Sequence, residues 1–192
     1  LTECYYPRDN NRKIGQKKFA RKDYNIPKNS FVFCSFNNSY KITKEEFDIW
    51  LNLLCEVKNS TLLLLVSDEN TKLNLLEVAS KKNINSDRII FLKKTGLEDH
   101  LSRHTLADLF LDSFNYNAHT SAVDALWAGL PILTKVGNSC SSRICGSLLK
   151  YFKLDSLIAE TKDEYFKKAL EFAKKPEKYK KIKDQIINTK VS

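Results

Sequence analysis

Short apolar runs separated by helical stripes recur along the chain. "SFVFCSF" (30–36), "STLLLLVS" (60–67), "DRIIFLKK" (87–94), "DLFLDS" (108–113) and "PILTKVG" (131–137) are apolar without alternation. A strand wet on one face alternates apolar and polar residues. These runs do not, so they predict strands buried on both faces, as in a parallel sheet covered by helices. Between them the period changes. In "TKEEFDIWLNLLCEV", residues Phe47, Trp50, Leu51, Leu54 and Val57 share one helical face, and Thr43 with Glu46 makes a capping box at its start. Helices are also predicted in "NTKLNLLEVASKK", "LEDHLSRHTLA", "SAVDALWAG", "SSRICGSLLKYF" and "KDEYFKKALEFAKK", with "SLIAET" a short strand or extended segment. The alternation predicts one α/β domain, Rossmann-like and doubly wound, around a mainly parallel sheet of about six strands. Residues 1–29 show no period, and "YYPRDNNRK" and "NIPKNS" read as loop and turn.

Length and composition narrow the class. The 192 residues, 42% of them hydrophobic, suffice for one domain with a real core. No apolar run approaches the roughly 18 residues a membrane helix needs, and "LTECYYPRDNN" lacks a signal-peptide layout. The chain contains no Met. That absence, and last helices with no obvious partner, lead to the expectation of a piece of a longer protein. Of the five cysteines, Cys34 and Cys55 sit in apolar patterns, and Cys140 and Cys145 are too far apart for a C-x-x-C pair. Free thiols in a reducing cytoplasm are expected, with no metal site. The net charge of +9 is crowded into "RKIGQKKFARK" and "KKPEKYKKIK". Such ends suit nucleic acid or an anionic surface, but Glu171, Glu177 and Asp184 interrupt the second and no aromatic-basic motif accompanies either. Solvated lysine-rich faces are the expectation, and nucleic acid is not an expected partner.

In an open α/β sheet, ligands bind beyond the carboxyl ends of the strands, so the strand-to-helix turns carry the candidate chemistry. No G-x-G-x-x-G, P-loop or G-x-S-x-G is present among only five glycines. "HTS" at 119–121 opens a helix instead. A helix start offers N–H groups and a favourable dipole to an anion; Thr120, Ser121 and His119 add side-chain donors. A plain N-cap by Thr120 or Ser121 accounts for the same residues. Lys41, after the first strand, can neutralise a diphosphate or be a solvated charge. Asp124, one turn after Thr120, suits a ribose hydroxyl or is an ordinary first-turn acid. His100 and His104 lie a turn apart without a third ligand, so His100 packed on a planar base is the better use.

"FVFCSFNNSYKIT", "DRIIF", "LEDHLSRHTLADLFLDS", "YNAHTSAVDALWAGLPILT" and "SSRICGSLL" together resemble the C-terminal half of the catalytic region of O-linked N-acetylglucosamine transferases. The wording is similar to the bacterial branch, tetratricopeptide-repeat proteins related to SPINDLY. The resemblance runs over about Glu3 to Lys190. It implies the C-terminal lobe of a GT-B glycosyltransferase, with 1–29 arriving from a missing N-terminal lobe and 30–192 forming the nucleotide-sugar-binding lobe. The implied reaction is inverting, metal-independent transfer of N-acetylglucosamine from UDP-GlcNAc to protein Ser or Thr, in the cytoplasm, with no cofactor.

Residue by residue, the resemblance implies that Lys41 contacts the diphosphate and stabilises the leaving group. Asn38 stands where animal members have a phosphate-touching glutamine. His100 packs near the uracil and ribose, Arg103 lies beside the base, and the main chain near Thr95 reads the base edge. His119, Thr120 and Ser121 form the phosphate turn, and Asp124 binds the ribose. Leu97 replaces a lysine of animal members that helps hold the nucleotide. The residues expected to act as base and to align the acceptor lie in the missing lobe. The repeats that bind protein substrates, and a final segment after "INTK", are missing too, so little transfer by this chain alone is expected. A SPINDLY-like lobe using GDP-fucose, a non-catalytic nucleotide-binding module and a nucleic-acid-binding domain remain the alternatives.

Overall fold

The computed structural model describes residues 11–189. Six strands, β1 (Phe31–Ser35), β2 (Ser60–Leu65), β3 (Ile89–Leu92), β4 (Leu109–Leu111), β5 (Ile132–Lys135) and β6 (Ile158–Ala159), form one sheet in the order β3-β2-β1-β4-β5-β6. Every pairing is parallel. The consecutive residues Leu62, Leu63 and Leu64 are all fully buried, which requires cover on both faces of the sheet, as the unalternated runs predicted.

The helices are α1 (Lys44–Glu56), α2 (Glu69–Ser80), α3 (Leu97–Ser102), α4 (Thr120–Ala128), α5 (Ile144–Tyr151), α6 (Lys162–Lys174) and α7 (Pro176–Thr189). Two predicted helices are split. "LEDHLSRHTLA" becomes α3 and a 3-10 turn over Arg103–Leu106, and "SSRICGSLLKYF" becomes a 3-10 turn at Cys140–Ser142 followed by α5. The lysine-rich end is also more than a solvated tract. It forms α7, opened by Pro176 at a position where a missing N–H costs nothing. This helix buries Ile182 and Ile186 in the core and sets Tyr179 edge-on against Phe31 at 5.9 Å. The last helix therefore has a partner within this domain. Among the cysteines, Cys34 is buried as expected but Cys55 is only half-buried, and Cys34, Cys55, Cys140 and Cys145 are all unbonded thiols. Cys4 lies outside the described residues.

The strand order reverses between β1 and β4. Connections leaving these two neighbours run to opposite sides, and a crevice opens at their carboxyl ends. Two buried groups hold its floor. Trp50 of α1 donates to the hydroxyl of Tyr165 on α6 (3.4 Å), and that hydroxyl donates to the Asp112 carbonyl at the end of β4 (3.1 Å). Glu46, fully buried, completes the predicted capping box by accepting the Thr43 amide at 2.9 Å and the Thr43 hydroxyl. Its other oxygen accepts the Phe114 amide at 2.7 Å. One carboxylate thus ties the start of α1 to the loop after β4.

Residues 11–29 pack along the domain. Arg21 pairs with Asp108 at 2.8 Å, whose same oxygen accepts the Val32 amide at 2.8 Å. The Gly15 amide donates to Glu98 O, and Ser102 donates to the Lys17 carbonyl.

Glu46→Gln tests the floor. An amide group turned toward either Thr43 or Phe114 opposes a buried N–H with another donor, and an unsatisfied donor costs about 1–3 kcal/mol. Denaturant melts of the variant should show that loss.

Candidate functional site

Lys41 follows β1 in a 3-10 turn (Ser39–Lys41) and reaches across the reversal. Its ammonium donates to the Asn117 carbonyl at 3.1 Å and lies 4.0 Å from the centre of the Tyr116 ring. Tyr116 in turn stacks on His119, with ring centres 4.9 Å apart and planes 22° apart. The structure thus brings Lys41 to the turn that opens α4. Half-burial lowers the lysine below its ordinary range, and the charge of Asp112 acts against that drop. His119 is lowered from 6.5, first by burial, with a hydrogen bond to the Ser141 backbone opposing and the charge of Lys41 adding to the drop. It is a neutral ring at pH 7.

The N-cap of α4 is His119, with Thr120 and Ser121 its first two helical residues. Thr120 and Ser121 therefore do not occupy the capping position that the plain N-cap reading gave them. Ala122 and Val123 both donate to the His119 carbonyl, at 3.1 and 3.2 Å. The start of α4 follows the carboxyl end of β4, next to the reversal of strand order. Asn38 is half-buried and donates to the Tyr40 hydroxyl at 3.4 Å.

The second group gathers around Phe36, the residue that follows β1. Phe36 meets His100 edge-on at 5.7 Å and His104 at 4.9 Å, and the Arg103 guanidinium lies 5.5 Å over it. His100 and Arg103 meet side by side. Arg103 donates to His100 Nδ1 from Nε at 3.1 Å and from Nη2 at 2.6 Å, and to the Lys93 carbonyl at 2.6 Å. An arginine only donates, so His100 Nδ1 accepts and Nε2 carries the ring proton. Burial, then the charge of Arg103, pushes His100 down to about 4. Burial, then His100, pushes His104 to about 3. Thr95 and Leu97 are exposed at the approach to α3. His100 and His104 form no metal cluster with other residues, and none exists among the described residues.

Asp124 is buried and paired with Arg12, which lies over Trp127 (5.6 Å) and accepts its indole N–H at 3.2 Å. Any ribose reaching Asp124 shares it with Arg12. Sequence reasoning missed Arg12, and it also missed Tyr116, Asn37, Asn117 and Asp112. "NYNAHT" and the polar end of "LFLDS" contained three of these, Tyr116, Asn117 and Asp112, but no local pattern marked them.

A family model described as "Glycosyl transferase family 41" matches residues 13–192. An Arabidopsis thaliana protein named probable UDP-N-acetylglucosamine–peptide N-acetylglucosaminyltransferase SEC is 33% identical over 179 residues, covering 90% of this chain and 18% of that protein. A Caenorhabditis elegans UDP-N-acetylglucosamine–peptide N-acetylglucosaminyltransferase is 34% identical over 146 residues, 76% of this chain and 13% of its own length. The chain therefore spans less than a fifth of these relatives. Among solved structures, a Thermobaculum terrenum O-GlcNAc transferase mutant superposes with a TM-score of 0.80 at 25% identity, covering 83% of this chain and 31% of that one. The C-terminal domain of a Francisella tularensis group 1 glycosyltransferase shares the fold, with a TM-score of 0.66 at 13% identity and 92% of each chain covered.

The depressed histidines set a pH dependence. Their folded values lie below the unfolded 6.5, so the unfolded chain takes up protons first. The fold loses stability as pH falls below about 6.5, down through the folded values near 4 and 3. In Arg103→Gln, ring titration followed by NMR should show His100 rising from about 4 while staying below 6.5, because burial is the larger cause.

Proposed function

Because the chain belongs to glycosyl transferase family 41, we propose that it is the donor-binding lobe of a protein O-glycosyltransferase that takes N-acetylglucosamine from UDP-GlcNAc. Its sheet is that of a GT-B lobe. The observation that carries the reading is the Lys41 ammonium held 3.1 Å from the Asn117 carbonyl, beside His119 at the start of α4. A fixed cation and a helix start meet at the reversal of strand order, where a diphosphate binds in this class of sheet.

The proposed transfer is inverting. A Ser or Thr hydroxyl of the acceptor attacks the anomeric carbon as the bond to the diphosphate oxygen breaks. The electron pair leaves with the diphosphate, and the hydroxyl proton passes to a base outside this lobe. Negative charge grows on the leaving oxygen, and Lys41 with the first amides of α4 meets it. No metal is assigned a part. His100, neutral and with Nε2–H outward from its arginine lock, packs on the base, with Arg103 and the main chain near Thr95 at its edge. Asn38, Thr120 and Ser121 border the phosphates and Asp124 the ribose. Acceptor protein binding belongs to a second lobe and repeats beyond this chain, with the boundary near residue 29. A cytoplasmic setting fits that substrate class. No helix among the described residues is long and apolar enough to cross a membrane. Relatives named SPINDLY, such as one from Hordeum vulgare 33% identical over 150 residues, make GDP-fucose the donor to test beside UDP-GlcNAc.

In the full-length protein, Lys41→Ala should lower turnover about a hundredfold, the scale of one lost transition-state donor, with a smaller change in donor affinity. Lys58→Ala, an exposed control, should change neither. Equal small effects would make Lys41 a solvated charge.

His100→Ala should weaken nucleoside diphosphate binding by about 1–2 kcal/mol, the scale of one lost base stack. Calorimetry with UDP and with GDP reads this loss and identifies the preferred base.

A further inference from the structure

One buried charge beneath the crevice has no part in the reaction just described. Asp112, at the carboxyl end of β4, is 0% exposed. Its Oδ1 accepts the Ser113 amide at 2.8 Å, the Ala118 amide at 2.6 Å and the Asn37 side-chain amide at 3.1 Å. Its Oδ2 accepts the Thr134 hydroxyl at 2.6 Å, and the Cys145 thiol also hydrogen-bonds the carboxylate. These partners come from the β1 loop, the β4–α4 turn, β5 and α5.

The Ala118 amide and the Asn117 carbonyl belong to one peptide group. Its N–H points at Asp112 and its C=O receives Lys41. A trans peptide directs its N–H and C=O oppositely. Its positive end therefore faces the carboxylate and its negative end faces the ammonium. Each charge polarises the peptide in the sense that strengthens the other contact.

We propose that Asp112 is a positioning residue of the site: its carboxylate ties the β4–α4 turn to the β1 loop and, through the 117–118 peptide, supplies the counter-charge that holds Lys41. The inference rests on the donor-lobe reading for its role in transfer, but the Asp112–Lys41 coupling is a property of the fold alone. The charge effects agree with it. Burial lowers Lys41 and Asp112 opposes that drop. Desolvation raises Asp112 to about 6 despite its hydrogen bonds. The other titratable groups facing this network are Cys145 from α5 and Tyr165 from α6, both raised by burial, and Tyr116 of the β4–α4 turn, whose ring lies against the Lys41 ammonium. Glu46 from α1 accepts the Phe114 amide, and His119 adjoins Lys41.

The test uses the full-length protein and a trace acylating reagent, with Lys41 labelling followed by peptide mass spectrometry across pH 6–11. Asp112→Asn keeps the shape and can still accept the Ala118 amide, but it removes the charge. The Lys41 labelling midpoint should fall by about one pH unit, the scale of one lost opposite charge. A variant labelled faster at every pH with an unmoved midpoint would show a merely structural aspartate and overturn the proposal. If Asp112→Asn does not fold, the wild-type protein supplies the second measurement. Protection of the peptide spanning 113–119 against hydrogen exchange, corrected for intrinsic rate, should fall as pH drops from 7 to 5 by more than that of the β2 peptide 60–65, which reports the histidine-driven loss of global stability. An equal fall in both peptides, or none, would overturn the proposal. Loss of UDP binding or of transfer in wild-type protein would instead overturn the donor-lobe reading, and would leave the labelling result standing.

Discussion

The crevice depends on a carboxylate that has no contact with water. Moving an ionised carboxylate into a protein interior is expensive unless hydrogen bonds and charge offset the loss of hydration. Asp112 receives donors from four segments, and it remains raised to about 6. The desolvation is therefore only partly offset. That incomplete compensation makes the group responsive to its surroundings. It also explains why the loops meet in one register. A shift of the β4–α4 turn by one residue would withdraw the Ala118 amide and leave the carboxylate short of a donor.

A second buried carboxylate, Glu46, works from the opposite side. It accepts from Thr43 before α1 and from Phe114 after β4, so the β1 loop carrying Lys41 is closed at both ends onto the same turn. Nucleotide-binding sheets commonly use glycines to bring backbone close to phosphate. With five glycines in the chain, this domain holds the β4–α4 turn by side-chain acceptors beneath it instead. A turn fixed from below presents its amides and Lys41 without reorganising, which is the condition for stabilising charge that appears only in a transition state.

The Phe36 side of the crevice follows a different principle. Phe36, His100, His104 and Arg103 form an aromatic and cationic cluster in which burial keeps both histidines neutral. Arg103 spends its donors on His100 and on the Lys93 carbonyl. It orients the ring and fastens the loop after β3, where Thr95 lies. Arg12 plays a comparable part at Asp124, bringing the segment before β1 onto α4.

The local pattern alone determined the backbone periods. Unalternated apolar runs became six parallel strands, and Thr43 with Glu46 became a cap. Strand ends marked Lys41, His100 and the 119–121 turn as neighbours of a crevice, and several motifs in fixed order resembled a glycosyltransferase lobe. The boundaries drifted where a terminal turn tightened into 3-10 geometry, after α3 at Arg103 and before α5 at Cys140. Only the tertiary structure decided partners. Glu46 meets Phe114 across 68 residues and Asp124 meets Arg12 across 112. The lysine-rich end docks through Ile182 and Ile186 because two apolar positions a turn apart suffice to bury one helix stripe. Asp112 was invisible as a functional residue because nothing near it in sequence distinguishes a buried acceptor from a strand-end acid. Periodicity is written in adjacent residues, whereas the partner of a buried charge is set by which strands lie side by side.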